Sequence, residues 1–221
     1  MNISRKVVSG SLANSVSIGM NAVLQLLMVP VLVSAWGAER FGYWMMLTTI
    51  PTYFALTDLG FVQASTSDMT MQFANGNREK VISTFQSSLA LLVTTCLAAV
   101  CAVVTGAAIW SNWLSPVNVG LIALLASYAG VSLLSRMSLC SLLATGHYAL
   151  GTLAYNILIM IEGLAGLLTA FLGGGFVEVA QCLLIMRLVN MFSIYRLARR
   201  RVPWLRYSLS HASCSELKRL L

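Results

Sequence analysis

The chain carries little charge of either sign. Of its 221 residues, 10% are charged and 58% are hydrophobic, and the mean hydropathy is +0.81. A water-soluble domain carries roughly 25% charge. So few charges exclude a water-facing surface and identify an integral membrane protein. Histidine is nearly absent: His147 and His211 are the two in the chain, and neither has a partner at metal-ligand spacing. No metal and no other cofactor is expected. The five cysteines, Cys96, Cys101, Cys140, Cys182 and Cys214, form no C-x-x-C pair. The first four sit in apolar runs and read as small apolar residues. Phosphate-binding glycine loops, G-x-S-x-G and H-E-x-x-H are also missing. A membrane enzyme of glycan assembly would show a large loop with paired acids or a D-x-D. No loop here is long enough, so the chain is not expected to be an enzyme.

What is present is a series of long apolar runs. About 20 apolar residues cross the hydrocarbon as a helix. The runs predict an all-α, polytopic bundle of about six transmembrane helices, at 10–35, 42–66, 81–109, 117–143, 150–172 and 177–197. The runs are too long, and alternate too little, for membrane strands. Turn formers separate them: Gly37, Asn75-Gly76-Asn77, Ser115-Pro116, Gly146 and Gly173-Gly174-Gly175. The bundle is expected to fill residues 1–203, with 204–221 as a cytosolic tail. Arg5, Lys6, Arg78, Lys80, Arg196, Arg199, Arg200, Arg201, Arg206, Lys218 and Arg219 fall on one side of this arrangement and Arg40 on the other. The positive-inside rule then places both termini in the cytosol. The basic cluster from Arg196 onward reads as a stop-transfer and lipid-surface feature rather than a nucleic-acid site. Arg5-Lys6, the first apolar run and Val33-Ser34-Ala35 mimic a signal peptide, but the run is too long for one and is studded with Asn and Gln. Asp68 and Glu79 are expected in a solvated loop, and Glu178 at the start of the sixth helix, where an acid suits the helix dipole.

Two sets of polar residues lie inside these runs. Asn14, Ser17, Asn21 and Gln25 are spaced to share one face of the first helix. Facing lipid they would be unsatisfied. They therefore read as polar glue between helices or as the lining of a hydrophilic cavity. Pro30 and Pro51 would each free a backbone carbonyl and bend their helices. Four charges are also buried. Asp58 and Arg136 each stand about two turns from the same side of the bundle. Glu162 and Arg187, on the last two helices, differ in depth by roughly 5 Å, within the reach of an arginine. The four read either as two structural ion pairs or as arginines that hold an anionic group beside an acid that handles a coupling cation. Arg suits phosphate because its guanidinium binds two oxygens at once.

A short polar turn rimmed by aromatics, Trp36-Gly37-Ala38-Glu39-Arg40-Phe41-Gly42-Tyr43-Trp44, suits a membrane–water interface. Thr57-Asp58-Leu59-Gly60-Phe61-Val62-Gln63-Ala64 follows it, and Ala144-Thr145-Gly146-His147-Tyr148 forms a later turn. With Arg5-Lys6, the polar first helix and Pro30, these residues resemble the amino-terminal half of a polysaccharide (O-antigen type) flippase of the multidrug/oligosaccharidyl-lipid/polysaccharide exporter superfamily. The resemblance is specific mainly over 30–64. It implies one lobe of a two-lobe exporter fold in the bacterial inner membrane. It implies a lipid-linked oligosaccharide cargo, carried on undecaprenyl pyrophosphate and moved by alternating access coupled to an ion gradient, of protons or sodium. Asp58 matches the family's aspartate at the end of the second helix. Arg136, Glu162 and Arg187 match no fixed motif. Family members usually carry twelve or more helices, so a truncated product or self-pairing of two copies is expected. A multidrug or cation exporter of the same superfamily and a structural membrane subunit are the alternatives.

Overall fold

The computed structural model describes residues 3–49, 51–53, 60–109 and 116–205. Seven helices account for nearly all of them: α1 Ile3–Trp36, α2 Ala38–Leu47, α3 Phe61–Ala74, α4 Arg78–Ile109, α5 Pro116–Ala144, α6 Tyr148–Phe171 and α7 Phe176–Arg201. There is no strand among the described residues. Among the described residues, five stretches are long and apolar enough to cross a membrane: Asn14–Trp36, Arg78–Val103, Val119–Ala144, Tyr148–Phe171 and Phe176–Arg201.

The second expected helix is not continuous. In place of one helix over 42–66, the described residues form α2, a helical piece at 51–53, and α3. Gly60 precedes α3 in the left-handed region, with φ 77°. A left-handed residue cannot continue a right-handed helix, so the chain breaks where a run of apolar letters suggests continuity. The break also moves Asp68. It lies within α3 rather than in a solvated loop, and its Oδ2 accepts a hydrogen bond from Thr84 Oγ1 on α4 at 3.0 Å. Pro30 lies inside α1, which continues through it as helix.

Three of the turns share one chemistry. After α3, α5 and α6, the glycines Gly76, Gly146 and Gly173 adopt positive φ. The next amide then reaches back five residues: Asn77 to Gln72, His147 to Leu142, and Gly174 to Thr169, each at 3.0 Å. This is the Schellman closure, which satisfies carbonyls that a helix end leaves free.

Helix α5 lies at the centre, packed on α3, α4, α6 and α7, while α1 packs on α6 and α2. One apolar core joins Met69, Val81, Phe85, Leu92, Leu133 and Met137 across α3, α4 and α5. A second joins Leu32, Trp36, Trp44, Leu121, Leu125, Ala170 and Val179 at the end of the bundle that carries Gly37. There the aromatic turn closes on the α6–α7 hairpin. The Trp36 indole N–H donates to the Gly174 carbonyl at 2.9 Å. Phe176 meets the rings of Trp36, Trp44 and Tyr43, and Arg40 sits 5.1 Å from its centroid. At the opposite end, Trp204 stacks on Phe73, and Arg78 stands 5.6 Å from the Trp204 centroid. Val202 and Leu205 are buried in the first core. The chain therefore stays packed on the bundle as far as Leu205, beyond the end of α7 at Arg201. Residues 206–221, including Cys214, lie outside the described residues.

Small residues set the helix spacing. A side chain at Gly163 would put its Cβ 2.5 Å from Leu24 Cδ2, and one at Gly166 would come 2.9 Å from Leu183 Cδ2. Close approach at small residues is how helices gain contact where lipid offers no hydrophobic drive between them. Gly163 brings α1 against α6, and Gly166 brings α7 against α6.

Candidate functional site

Glu162 on α6 and Arg187 on α7 meet, as their depths suggest. Arg187 Nη2 donates to Glu162 Oε1 at 2.7 Å. Both residues are buried, at 2% and 6% exposure. The α6–α7 hairpin is closed by the Gly173–Gly175 turn, and Gly166 lets the two helices approach, so the two side chains meet across a tight seam.

Two tyrosines complete the cluster, and sequence reasoning missed both. The Tyr128 hydroxyl on α5 donates to Glu162 Oε1 at 2.7 Å and accepts from Arg187 Nη2 at 2.6 Å. The Arg187 guanidinium also lies 4.9 Å from the Tyr128 ring centroid. Tyr155 on α6 accepts from Arg187 Nη1 at 3.5 Å. The signal was there: Tyr128 stands in the middle of an apolar run, away from the interface belt where tyrosines collect, and a buried Tyr hydroxyl needs a partner. One turn along α7, Asn190 is fully buried and its Oδ1 accepts from Ser135 Oγ at 3.1 Å. This second link between α5 and α7 was also missed.

The pairing is one-sided. Glu162 Oε1 takes both hydrogen bonds, while the buried atoms Glu162 Oε2, Arg187 Nε and Asn190 Nδ2 have no hydrogen-bond partner among the described residues. Glu162 and Arg187 line a cavity of about 270 Å³. Its walls are otherwise mostly apolar: Leu24, Met28 and Leu32 from α1, Trp44 from α2, Leu125 from α5, Ile159 and Leu167 from α6, and Val179 and Leu183 from α7. Thr48 and Pro51, beside the broken second segment, complete the wall. A mostly apolar cavity with one ion pair in its wall suits an amphiphilic guest.

The other expected site residues separate. On α1, Ser17 is buried, but Asn14, Asn21 and Gln25 are exposed. Gln25 precedes Met28 by three residues and Leu32 by seven, so the amides share a helix face with two residues of the cavity wall. Buried Ser17 fits polar glue between helices, while the three amides are exposed and have no hydrogen-bond partner on a neighbouring helix among the described residues. Arg136 is exposed and makes no ion pair among the described residues. Asp58, its expected counterpart, lies outside the described residues. Among the described residues no group of three or more His, Cys, Asp or Glu stands close enough to hold a metal ion.

Comparison with protein-family models, with curated proteins and with solved structures finds no match to this chain.

Proposed function

We propose that this chain forms part of a membrane transporter for an amphiphilic anionic cargo, of the kind moved by the polysaccharide flippases that its sequence resembles. The cargo is a lipid-linked oligosaccharide carried on undecaprenyl pyrophosphate. The membrane is the bacterial inner membrane, both termini are cytosolic, and α2, residues 51–53 and α3 together make the second of six spans. Transport follows alternating access and is coupled to a proton or sodium gradient.

The observation that carries this reading is the Glu162–Arg187–Tyr128 cluster at the wall of an apolar cavity. Ionisable side chains within a span are costly and mark substrate or ion paths by default. Arginine suits a phosphate oxyanion, and the apolar walls suit a lipid tail. The broken segment beside the cavity adds support, because discontinuous helices form substrate sites in secondary transporters. The exposed amides Asn14, Asn21 and Gln25 fit a wet wall against a second lobe or a second copy.

The test replaces Glu162 and Arg187 together by Gln in the chromosomal gene, which removes the charges without leaving one unpaired. Surface polysaccharide is expected to fall, while the lipid-linked oligosaccharide accumulates on the cytosolic leaflet. Unchanged surface polysaccharide after deletion of the whole gene overturns the reading. One feature favours a second reading. The Glu162 carboxylate lines an apolar cavity, and its Oε2 has no hydrogen-bond partner among the described residues, which also suits an organic cation, as in a multidrug exporter. Loss of cation efflux with normal polysaccharide would select it.

A further inference from the structure

We propose that the Glu162–Arg187 pair is an exchange site: a phosphate-type anion takes Arg187 from Glu162, and Glu162 takes up a proton as it is released. The inference rests on the transporter reading above and adds what the anion displaces and which group carries the coupling proton.

The pair is built for a change of partner. A guanidinium and a carboxylate can bind through two parallel hydrogen bonds. Here they use one oxygen, and Glu162 Oε2 and Arg187 Nε, both buried, have no hydrogen-bond partner among the described residues, while other parts of the two residues line the cavity. Arg187 also has contacts that do not involve Glu162. The Tyr128 ring lies under its guanidinium at 4.9 Å, and the Tyr128 and Tyr155 hydroxyls accept from Nη2 and Nη1. The cation therefore stays held while its anionic partner changes. The Tyr128 hydroxyl now donates to Glu162 and can turn its proton to an incoming phosphate oxygen.

Charge balance supplies the proton. The resting pair is neutral. A monoanion brought to Arg187 would leave a lone carboxylate in an apolar wall, which is costly enough that the group neutralises instead. One proton from the aqueous phase, bound at the Glu162 carboxylate, restores neutrality. Among the described residues, the groups facing Glu162 offer no other acceptor for it. Tyr128 on α5, Tyr155 on α6 and Arg187 on α7 are the titratable ones, and α1 contributes Leu24 and Met28 to the same cavity. Arg136 on α5 stands within electrostatic reach of Tyr155 and adds positive charge on that side.

The probe is dioctyl phosphate, a dialkyl ester that stays a monoanion between about pH 5 and pH 8. It is titrated calorimetrically into the full chain in lipid nanodiscs, in two buffers of different ionisation heat. The expected result is uptake of about one proton per anion bound. Where Glu162 is ionised in the free protein, affinity should fall about tenfold per pH unit as pH rises, since one linked proton is worth about 1.4 kcal/mol per unit. Glu162→Gln should bind the probe tightly with no proton uptake and no pH dependence. Glu162→Gln with Arg187→Gln carries no unpaired charge and should lose binding at least tenfold. Binding to the unaltered chain without proton uptake, or uptake that persists in Glu162→Gln, overturns the exchange and leaves the transporter reading in place. No binding at any pH also overturns the exchange, and the polysaccharide experiment then decides the transporter reading alone.

Discussion

The α5–α6–α7 side of the bundle and the α1–α2 side handle polar residues in opposite ways. Among α5, α6 and α7, polar side chains are buried and joined: Glu162 with Arg187 and Tyr128, and Ser135 with Asn190. Along α1, three amides of one stripe stand exposed, and the helix leans on α6 through Leu24 against Gly163. On the first side a polar group helps to hold the fold, and removal of one partner strands the other. On the second side the amides have no hydrogen-bond partner on another helix among the described residues, and they stand exposed. The difference teaches that a polar residue in an apolar run has no fixed meaning until its neighbours are known.

The largest expected effect breaks the joined side. Arg187→Ala leaves Glu162 buried without its cation, and should destabilise the fold by about 3–5 kcal/mol. Thermal unfolding in detergent would register this. The charge-reversed pair, Glu162→Arg with Arg187→Glu, should recover most of the loss. A double variant worse than both single ones would show that the pair does not hold the hairpin. Next comes the turn that closes α6 on α7. A Cβ at Gly174 would sit 2.7 Å from the Thr169 carbonyl oxygen, a backbone atom that cannot swing aside. Gly174→Ala should therefore cost about 1–3 kcal/mol, seen as a lower unfolding midpoint.

Smaller effects sharpen the boundary between the two sides. Gly163→Ala meets only the flexible end of Leu24. It should cost about 1 kcal/mol, and the double variant with Leu24→Ala should be less than additive. Additive losses in that cycle would mean that α1 does not rest on α6 through this contact. Trp36→Phe keeps the ring contacts but removes the bond to the Gly174 carbonyl, a loss of about 1 kcal/mol. The smallest change belongs to the exposed stripe. Asn21→Leu and Gln25→Leu should shift stability by less than about 0.5 kcal/mol, and under the transporter proposal they should lower surface polysaccharide. A large loss of stability in either variant would place these amides in the packing after all.

Much of this was legible before any coordinates. Composition identified a membrane protein because a chain with so few charges cannot face water. Gly76, Gly146 and Gly173 marked helix ends because a left-handed residue closes a helix without steric cost. Glu162 and Arg187 were paired from their similar depth on two helices joined as a hairpin, since rise per residue converts position into height. Azimuth was harder to read. Height does not say which way a side chain faces, so the exposure of Arg136 and of the three amides was not evident, nor was the meeting of Tyr128 and Tyr155 with Arg187. The break at Gly60 was hidden for another reason: an apolar run constrains what surrounds a segment and says little about its backbone.

Counting residues along helices thus gives the class of protein, the glycine turns at Gly76, Gly146 and Gly173, and the matching heights of Glu162 and Arg187. The tertiary structure alone decided the broken second segment, the cavity and the tyrosine-held, one-sided ion pair. Those depend on how the helices are rotated and how closely Gly163 and Gly166 let them approach, which no single run of residues specifies.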